Sequence, residues 1–452
     1  MPQNIWAALS DTFSPFDPVP PSRLNSWFVT RPDSPLEVLL RHLAPDRVPI
    51  RQIFVGQPAS GKSSELTKLA AELKSRYDSF VVRFDMTDNI DVERANPVEV
   101  IFLMGAAIYK VASAELPQDK QPDRHLLDNL KRGLESIVVN HTANKNFSID
   151  LDKLLMGMVV FGGAALAGPV GGAAGLIAGQ GVVSAVRPLV EKLIPFRFTS
   201  GTSLEVVRKL EVEPHVETMI EALNAIIDDV RFKLNRLPVL IVDGLDKLRD
   251  SSVISLNFLE KNFLNGPKCS VLYAGPLDLY YSPAFGEVRA RFNIIPFPHV
   301  KLRAKLDPTN LHAAGYEVMT NVAHRRIVSL NLKPEEIIEE GVLNLLIKGS
   351  GGVMRDFIRL FRAAAIHAEV LGKQRIEESE ALKALNELRR QLAAQLTPDY
   401  YDVLNQVRET HQRVGGDMTD KCDQLLRNDI VLSYVNDDVW FDAHSALTPN
   451  PW

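Results

Sequence analysis

Cysteine is nearly absent from this 452-residue sequence: Cys269 and Cys422 are the only two. That is too few for a disulfide framework or an all-cysteine zinc site, and it fits a reducing cytoplasm. Positive charge is not in excess either. Against 51 Lys and Arg stand 56 Asp and Glu, a formal net charge of -5, so no global basic field draws nucleic acid, which would need a local patch. The first residues, MPQNIWAALSDTF, lack the basic and long apolar regions of a secretory signal, and the expected location is cytoplasmic. Length, by contrast, is ample, and at ~150 residues per domain it suggests about three domains.

Residues 1–48 hold Pro15, Pro18, Pro20 and Pro21 and read as an extended arm that docks on the neighbouring domain. From Arg51 the order is strand (QIFV), glycine loop, helix (SSELTKLAAELKSRY), strand (FVVRFDM), a βαβ unit that predicts a parallel sheet. In 216–234, Val216, Met219, Ile220, Leu223, Ile226, Ile227 and Val230 form one helical stripe. The strand LPVLIVD, a helix containing NFL and the strand CSVLYAG come next. The fold class expected is α/β, a P-loop three-layer sandwich with a parallel sheet over residues 49–306 and its ligand at the carboxyl ends of the strands. Three helical patterns fill 307–397 as a lid. Residues 398–452 read as two helices and a hairpin (IVLSYV, NDD, VWFDAH), a winged helix.

Chemistry concentrates at Gly56-Gln57-Pro58-Ala59-Ser60-Gly61-Lys62-Ser63, which matches G-x-x-x-x-G-K-S between a strand and a helix. The two glycines let backbone N–H groups turn toward phosphates, and the helix N-terminus adds a positive dipole end. Lys62 brings a mobile cation to the β and γ phosphates, the Ser63 hydroxyl can ligate magnesium, and Ser64 is counted with the loop. The second element is Val239-Leu240-Ile241-Val242-Asp243-Gly244-Leu245-Asp246-Lys247. Four apolar residues bury the strand and leave Asp243 at its end, aimed at the magnesium shell. Asp246 can orient the attacking water, or alternatively cap a helix.

These residues resemble an AAA+ or STAND-type ATPase over about 27–452, with an insertion near 140–200. VLIVDGLDK is similar to the STAND form, in which a second acid stands at this spacing. The missing adjacent Asp-Glu of the AAA+ form implies slow hydrolysis. Arg289 and Arg291, in EVRARFNIIPF, resemble the segment where origin-recognition-type proteins send an arginine to a neighbouring subunit's γ-phosphate. The alternative is two solvated arginines on a helix. Gly349-Ser350-Gly351-Gly352-Val353-Met354-Arg355 is similar to the AAA+ lid, which makes Arg355 the γ-phosphate sensor; the alternative is a structural pair with Asp356 or Glu339. The resemblance implies ATP and Mg2+ as cofactors. The first sensor position offers Tyr273 and Ala274 and is left without a role.

Leu154 to Val186 contains no charged residue and nine glycines, with Pro169 near its middle. Three readings stay open: a buried helical hairpin, a segment that enters a membrane on activation, and a constitutive anchor. In the winged helix, Arg408, Arg413, Lys421 and Arg427 face ten acids from Pro398 onward, a balance of 4 - 10 = -6. On that count nucleic acid is not expected as a partner. The leading reading is an ATP-dependent conformational switch of the signalling or antiviral-defence kind. On activation it is expected to form a homo-oligomer or to expose the insert to a membrane; the trigger and protein partner are not readable. The alternative is a DNA-associated AAA+ motor or loader, and a third class is a nucleotide-bound scaffold that hardly turns over.

Overall fold

The computed structural model describes residues 5–45, 48–89, 97–141, 148–162, 213–247, 263–281, 285–305, 311–435 and 438–448. Contacts divide the chain into two compact units. One gathers Met1–Ser34, Gly56–Glu65 and Phe297–Trp452, and the other Pro35–Val55 and Leu66–Pro296.

The second unit is built on short apolar runs. The strands are β1 (Arg51–Val55), β2 (Val81–Asp85), β3 (Phe161–Gly162), β4 (Val239–Asp243), β5 (Ser270–Gly275) and β6 (Asn293–Pro296), in the order β3-β2-β4-β5-β1-β6. All neighbours are parallel except β3, which lies antiparallel on β2. Every residue of β4 and β5 is buried. Parallel strands covered on both faces carry such unbroken apolar runs because their connections must cross over as helices. Each completely buried large apolar side chain here contributes about 1.5–3 kcal/mol. The helices Pro97–Glu115, Arg124–His141 and Glu213–Leu234 pack together in one core with the sheet. In the last of these, Val216, Met219, Leu223, Ile226, Ile227 and Val230 are all buried, and Ile220 is partly so.

In the first unit the arm departs from the extended form expected of it. Ile5–Thr12 is a helix and Leu24–Trp27 a helical turn. The prolines stand before or between these elements, with Pro21 opening the turn Pro21–Arg23, where a missing N–H costs nothing. Phe13, directly after the first helix, stacks on Phe361 at 3.9 Å. The lid consists of Ala313–Val328, Pro334–Ile337, Glu340–Gly349, Met354–Val370 and Glu378–Ala393. The first of these has no clear signature in the sequence, because its buried set includes Gly315 and Arg326 and interrupts the apolar stripe. Pro398–Thr410, Thr419–Arg427 and an antiparallel pair, β7 (Val431–Val435) with β8 (Val439–Ala443), make the winged helix.

Candidate functional site

The chain leaves β1 at Val55 and enters the loop Gly56–Ser60. Gly61 then takes φ 97, and the sixteen-residue helix Lys62–Tyr77 begins. A side chain at Gly56 would put its Cβ 2.4 Å from the Phe297 carbonyl oxygen, so only glycine lets the backbones approach there. Ala59 is left-handed at φ 61 without being glycine, a strain of the kind that clusters at ligand sites and costs roughly 1–3 kcal/mol. Lys62 is 5% exposed, and its Nζ donates to the carbonyls of Gly56 and Gln57, each at 2.7 Å. Pro58 and Ser63 are half-buried and Ser60 is buried.

The arm and the linker after β6 hold this loop within the first unit. Arg31 donates to the Ser60 carbonyl at 3.3 Å and to the His299 carbonyl at 3.4 Å, and it pairs with Asp33. Ser64 Oγ accepts from the Val19 amide at 3.0 Å, and Ser34 bonds Glu65. Sequence reasoning misses Arg31, whose carbonyl partners lie 29 and 268 residues away. Gln57, counted among the phosphate residues, sends its side chain instead to the backbone of Leu426, Val431 and Ser433.

Next to the loop lies a buried carboxylate–imidazole group. His299 Nε2 is 3.3 Å from Asp429 Oδ1, and His444 Nε2 is 3.3 Å from Asp356 Oδ2. Burial, then the charges of Arg31 and Lys62, push the His299 imidazole down to about 3. Burial, then the Asp356 charge, pushes the Asp429 carboxyl well above the usual range, so the pair is neutral, with the acid proton held by Asp429. Arg355 lies at the start of the helix Met354–Val370, and its amide donates to the Ala59 carbonyl at 3.4 Å. The two carboxylates weighed as its structural partners are engaged otherwise. Asp356 takes Arg359 at 2.7 Å and faces His444, while Glu339 takes Arg375 at 2.5 Å.

The acidic end of β4 belongs to the second unit. Asp243 is fully buried; its Oδ2 accepts from Arg83 at 3.0 Å and its Oδ1 from the Gly244 amide at 3.0 Å. Burial, then the Asp85 charge, raises its carboxyl, and Arg83 opposes that. Asp246 sits half-buried on the turn Leu245–Lys247, and residues 248–262, where a capped helix would run, lie outside the described residues. Lys247 Nζ donates to Asp85 at 2.9 Å and to Thr87 at 3.2 Å. Asp88 is pushed up to about 6 by burial and then by Asp85. Among the described residues no group of three or more His, Cys, Asp or Glu side chains is placed to hold a metal ion. Carboxylate and hydroxyl oxygens are nevertheless the donors that magnesium takes, and an ion that keeps most of its own waters needs only one or two. The Tyr273 hydroxyl donates to the Leu264 carbonyl at 2.7 Å and is used in packing. Arg289 and Arg291 are exposed on the helix Phe285–Arg291.

Of the apolar insert, Leu151–Gly157 is helical and Phe161–Gly162 is β3, and residues 163–186 lie outside the described residues. No described helix is long and apolar enough to cross a membrane.

With strand order and phosphate loop in place, the fold is a P-loop α/β fold with a parallel sheet, followed by a helical lid and a winged helix. No family model and no curated protein matches the sequence. Solved structures do match over nearly the whole chain. The Aeropyrum pernix ORC1 protein in complex with DNA aligns at 12% identity and TM-score 0.41, over 99% of this chain and 97% of that one. Cdc6p from Pyrobaculum aerophilum aligns at 12% identity and TM-score 0.42, over 96% and 93%. Drosophila ORC bound to DNA aligns at 12% identity and TM-score 0.40, over 98% and 90%.

Two of these proteins are seen with DNA, and the expectation that nucleic acid is not a partner is corrected accordingly. The charge count behind that expectation treated every carboxylate as surface field. Asp399 is paired with Lys421, Asp423 with Arg413 and Asp442 with Arg303, while Asp429 is buried where its neutral form is favoured. A sum over sequence is therefore no measure of the face that a partner meets.

Proposed function

We propose that this protein is a magnesium-dependent ATPase of AAA+ type that works as a DNA-associated motor or loader. The observation that carries the ATPase reading is the phosphate loop. It pairs a left-handed Gly61 with a long helix N-terminus and a lysine whose ammonium rests on the loop's own carbonyls, donors in the arrangement that anions need. In this reading residues 56–64 take the phosphates of ATP, and Ser63 and Asp243 take Mg2+. Asp246 orients water, and Arg355 reads the γ-phosphate. Arg289 and Arg291 stay as candidates for a charge supplied to the transition state.

The DNA-associated reading takes precedence over the signalling switch. A short helix followed by a hairpin is the arrangement by which such domains enter a major groove, and Thr419–Arg427 with β7 and β8 has that order. The test is anisotropy of a fluorescent duplex titrated with the full chain, with and without a non-hydrolysable ATP analogue, beside a turnover assay. Expected are ATP-dependent DNA binding that weakens log-linearly with salt and turnover that DNA stimulates. Absence of Mg·ATP turnover would sink the ATPase reading. Turnover with no DNA binding in any nucleotide state would return the protein to the signalling switch.

A further inference from the structure

Phosphate chemistry asks nothing of the second position of the loop beyond its backbone, yet the side chain of Gln57 is 1% exposed and makes three hydrogen bonds. Nε2 donates to the carbonyls of Leu426 and Val431, both at 2.8 Å, and Oε1 accepts from the Ser433 amide at 2.6 Å. Both donor hydrogens of the amide and one acceptor site are used. β7 belongs to a two-stranded sheet and pairs with β8 on one edge. The Val431 carbonyl and the Ser433 amide are two residues apart on the strand, so both point to one edge of it. The amide of Gln57 occupies that edge as one peptide of a neighbouring strand would. Beside it Ala59 packs against Val353, Leu432, Tyr434 and Trp440.

The same residue meets the lysine of the loop through its backbone. Lys62 Nζ rests on the carbonyls of Gly56 and Gln57, and Gly56, Gln57, Ser60 and Lys62 are all buried. The ammonium serves a phosphate only by leaving those carbonyls. We propose that Gln57 is a positioning residue that couples the phosphate loop to the winged helix: a triphosphate entering the loop draws Lys62 off the Gln57 carbonyl, and the amide lets go of the β7 edge. The inference rests on the nucleotide-binding reading and adds to it the part of the molecule that nucleotide releases.

The experiment is amide hydrogen exchange on the full chain, read at Ser433, whose acceptor is the Gln57 side chain. In the wild type, exchange there is slow without nucleotide and about tenfold faster with a non-hydrolysable ATP analogue and magnesium. Gln57→Glu sets a carboxylate against two carbonyl oxygens, and Gln57→Met keeps the length without the bonds. In both, exchange at Ser433 is fast with or without nucleotide, while the helix Pro97–Glu115 exchanges as in the wild type. Binding of a fluorescent ATP analogue is tighter in Gln57→Met, because no bond to the β7 edge has to be given up. Slow exchange at Ser433 in both variants overturns the proposal, and so does acceleration that reaches Pro97–Glu115 equally. If the wild type binds no nucleotide, the ATPase reading fails by itself, and the nucleotide-free contrast between wild type and variants still decides the latch.

Discussion

The buried pair His299–Asp429 sets a pH dependence that two single substitutions should split into opposite slopes. In the folded chain the imidazole is neutral down to about 3 and the carboxyl is protonated, so the pair holds one proton. Unfolded, the groups titrate near 6.5 and 3.8, so between those values the chain also holds one proton on the pair, now on the histidine. Equal proton counts leave stability level across that window.

Removing one partner breaks the balance. In His299→Asn, Asp429 alone carries a raised folded pKa. Its contribution is full below the unfolded value and is lost as pH rises, so stability falls between pH ~4.5 and ~6.5. In Asp429→Asn, His299 alone carries a lowered folded pKa, and stability climbs by about 2 kcal/mol over the same interval. Trp6, Trp27 and Trp440 lie in the unit that holds the pair, so urea unfolding followed by tryptophan fluorescence reports on it. The quantity to compare is each variant's slope minus that of the wild type. Two differences of the same sign, or both near zero, would refute the assignment of the proton.

Three further outcomes are expected. Arg83→Met strips the partner from a buried Asp243 that it meets at 3.0 Å, which should cost about 3–5 kcal/mol in unfolding followed by circular dichroism. Adding Asp243→Asn should recover most of that loss. Asp246→Asn should bind ATP normally and lose turnover, and a variant that hydrolyses at the wild-type rate would remove Asp246 from the reaction. Arg355→Ala should flatten the difference in affinity between ATP and ADP without lowering the melting temperature by more than a few degrees.

Local signals bring the sheet and the phosphate loop into view. VLIVD is buried end to end, and runs of that kind read as parallel strands because nothing polar interrupts them. Gly56 to Ser63 is contiguous, so its spacing alone declares its chemistry. The arm misleads because its prolines dominate the composition of a stretch whose helix, Ile5–Thr12, contains none of them. Contacts that join distant residues leave no trace in spacing. Gln57 meets Leu426 across 369 positions, and His299 meets Asp429 across 130. A glutamine inside a Walker loop and a histidine after a strand look ordinary until the chain brings the winged helix to them. Asp243 is legible as the acid at the end of a buried strand, but the Arg83 that holds it is not, since a lone arginine within VVRFD gives no sign of its register with the neighbouring strand.

The central claim is that Lys62 and its loop bind ATP, and the most direct measurement is the Kd of a fluorescent ATP analogue with magnesium for wild type and Lys62→Ala. The ammonium makes charge-assisted hydrogen bonds to phosphate, each worth roughly 1.5–3 kcal/mol, so the expected result is a Kd raised about tenfold to a hundredfold or more, with turnover abolished and the fold retained. Equal affinity in the two proteins would contradict the claim.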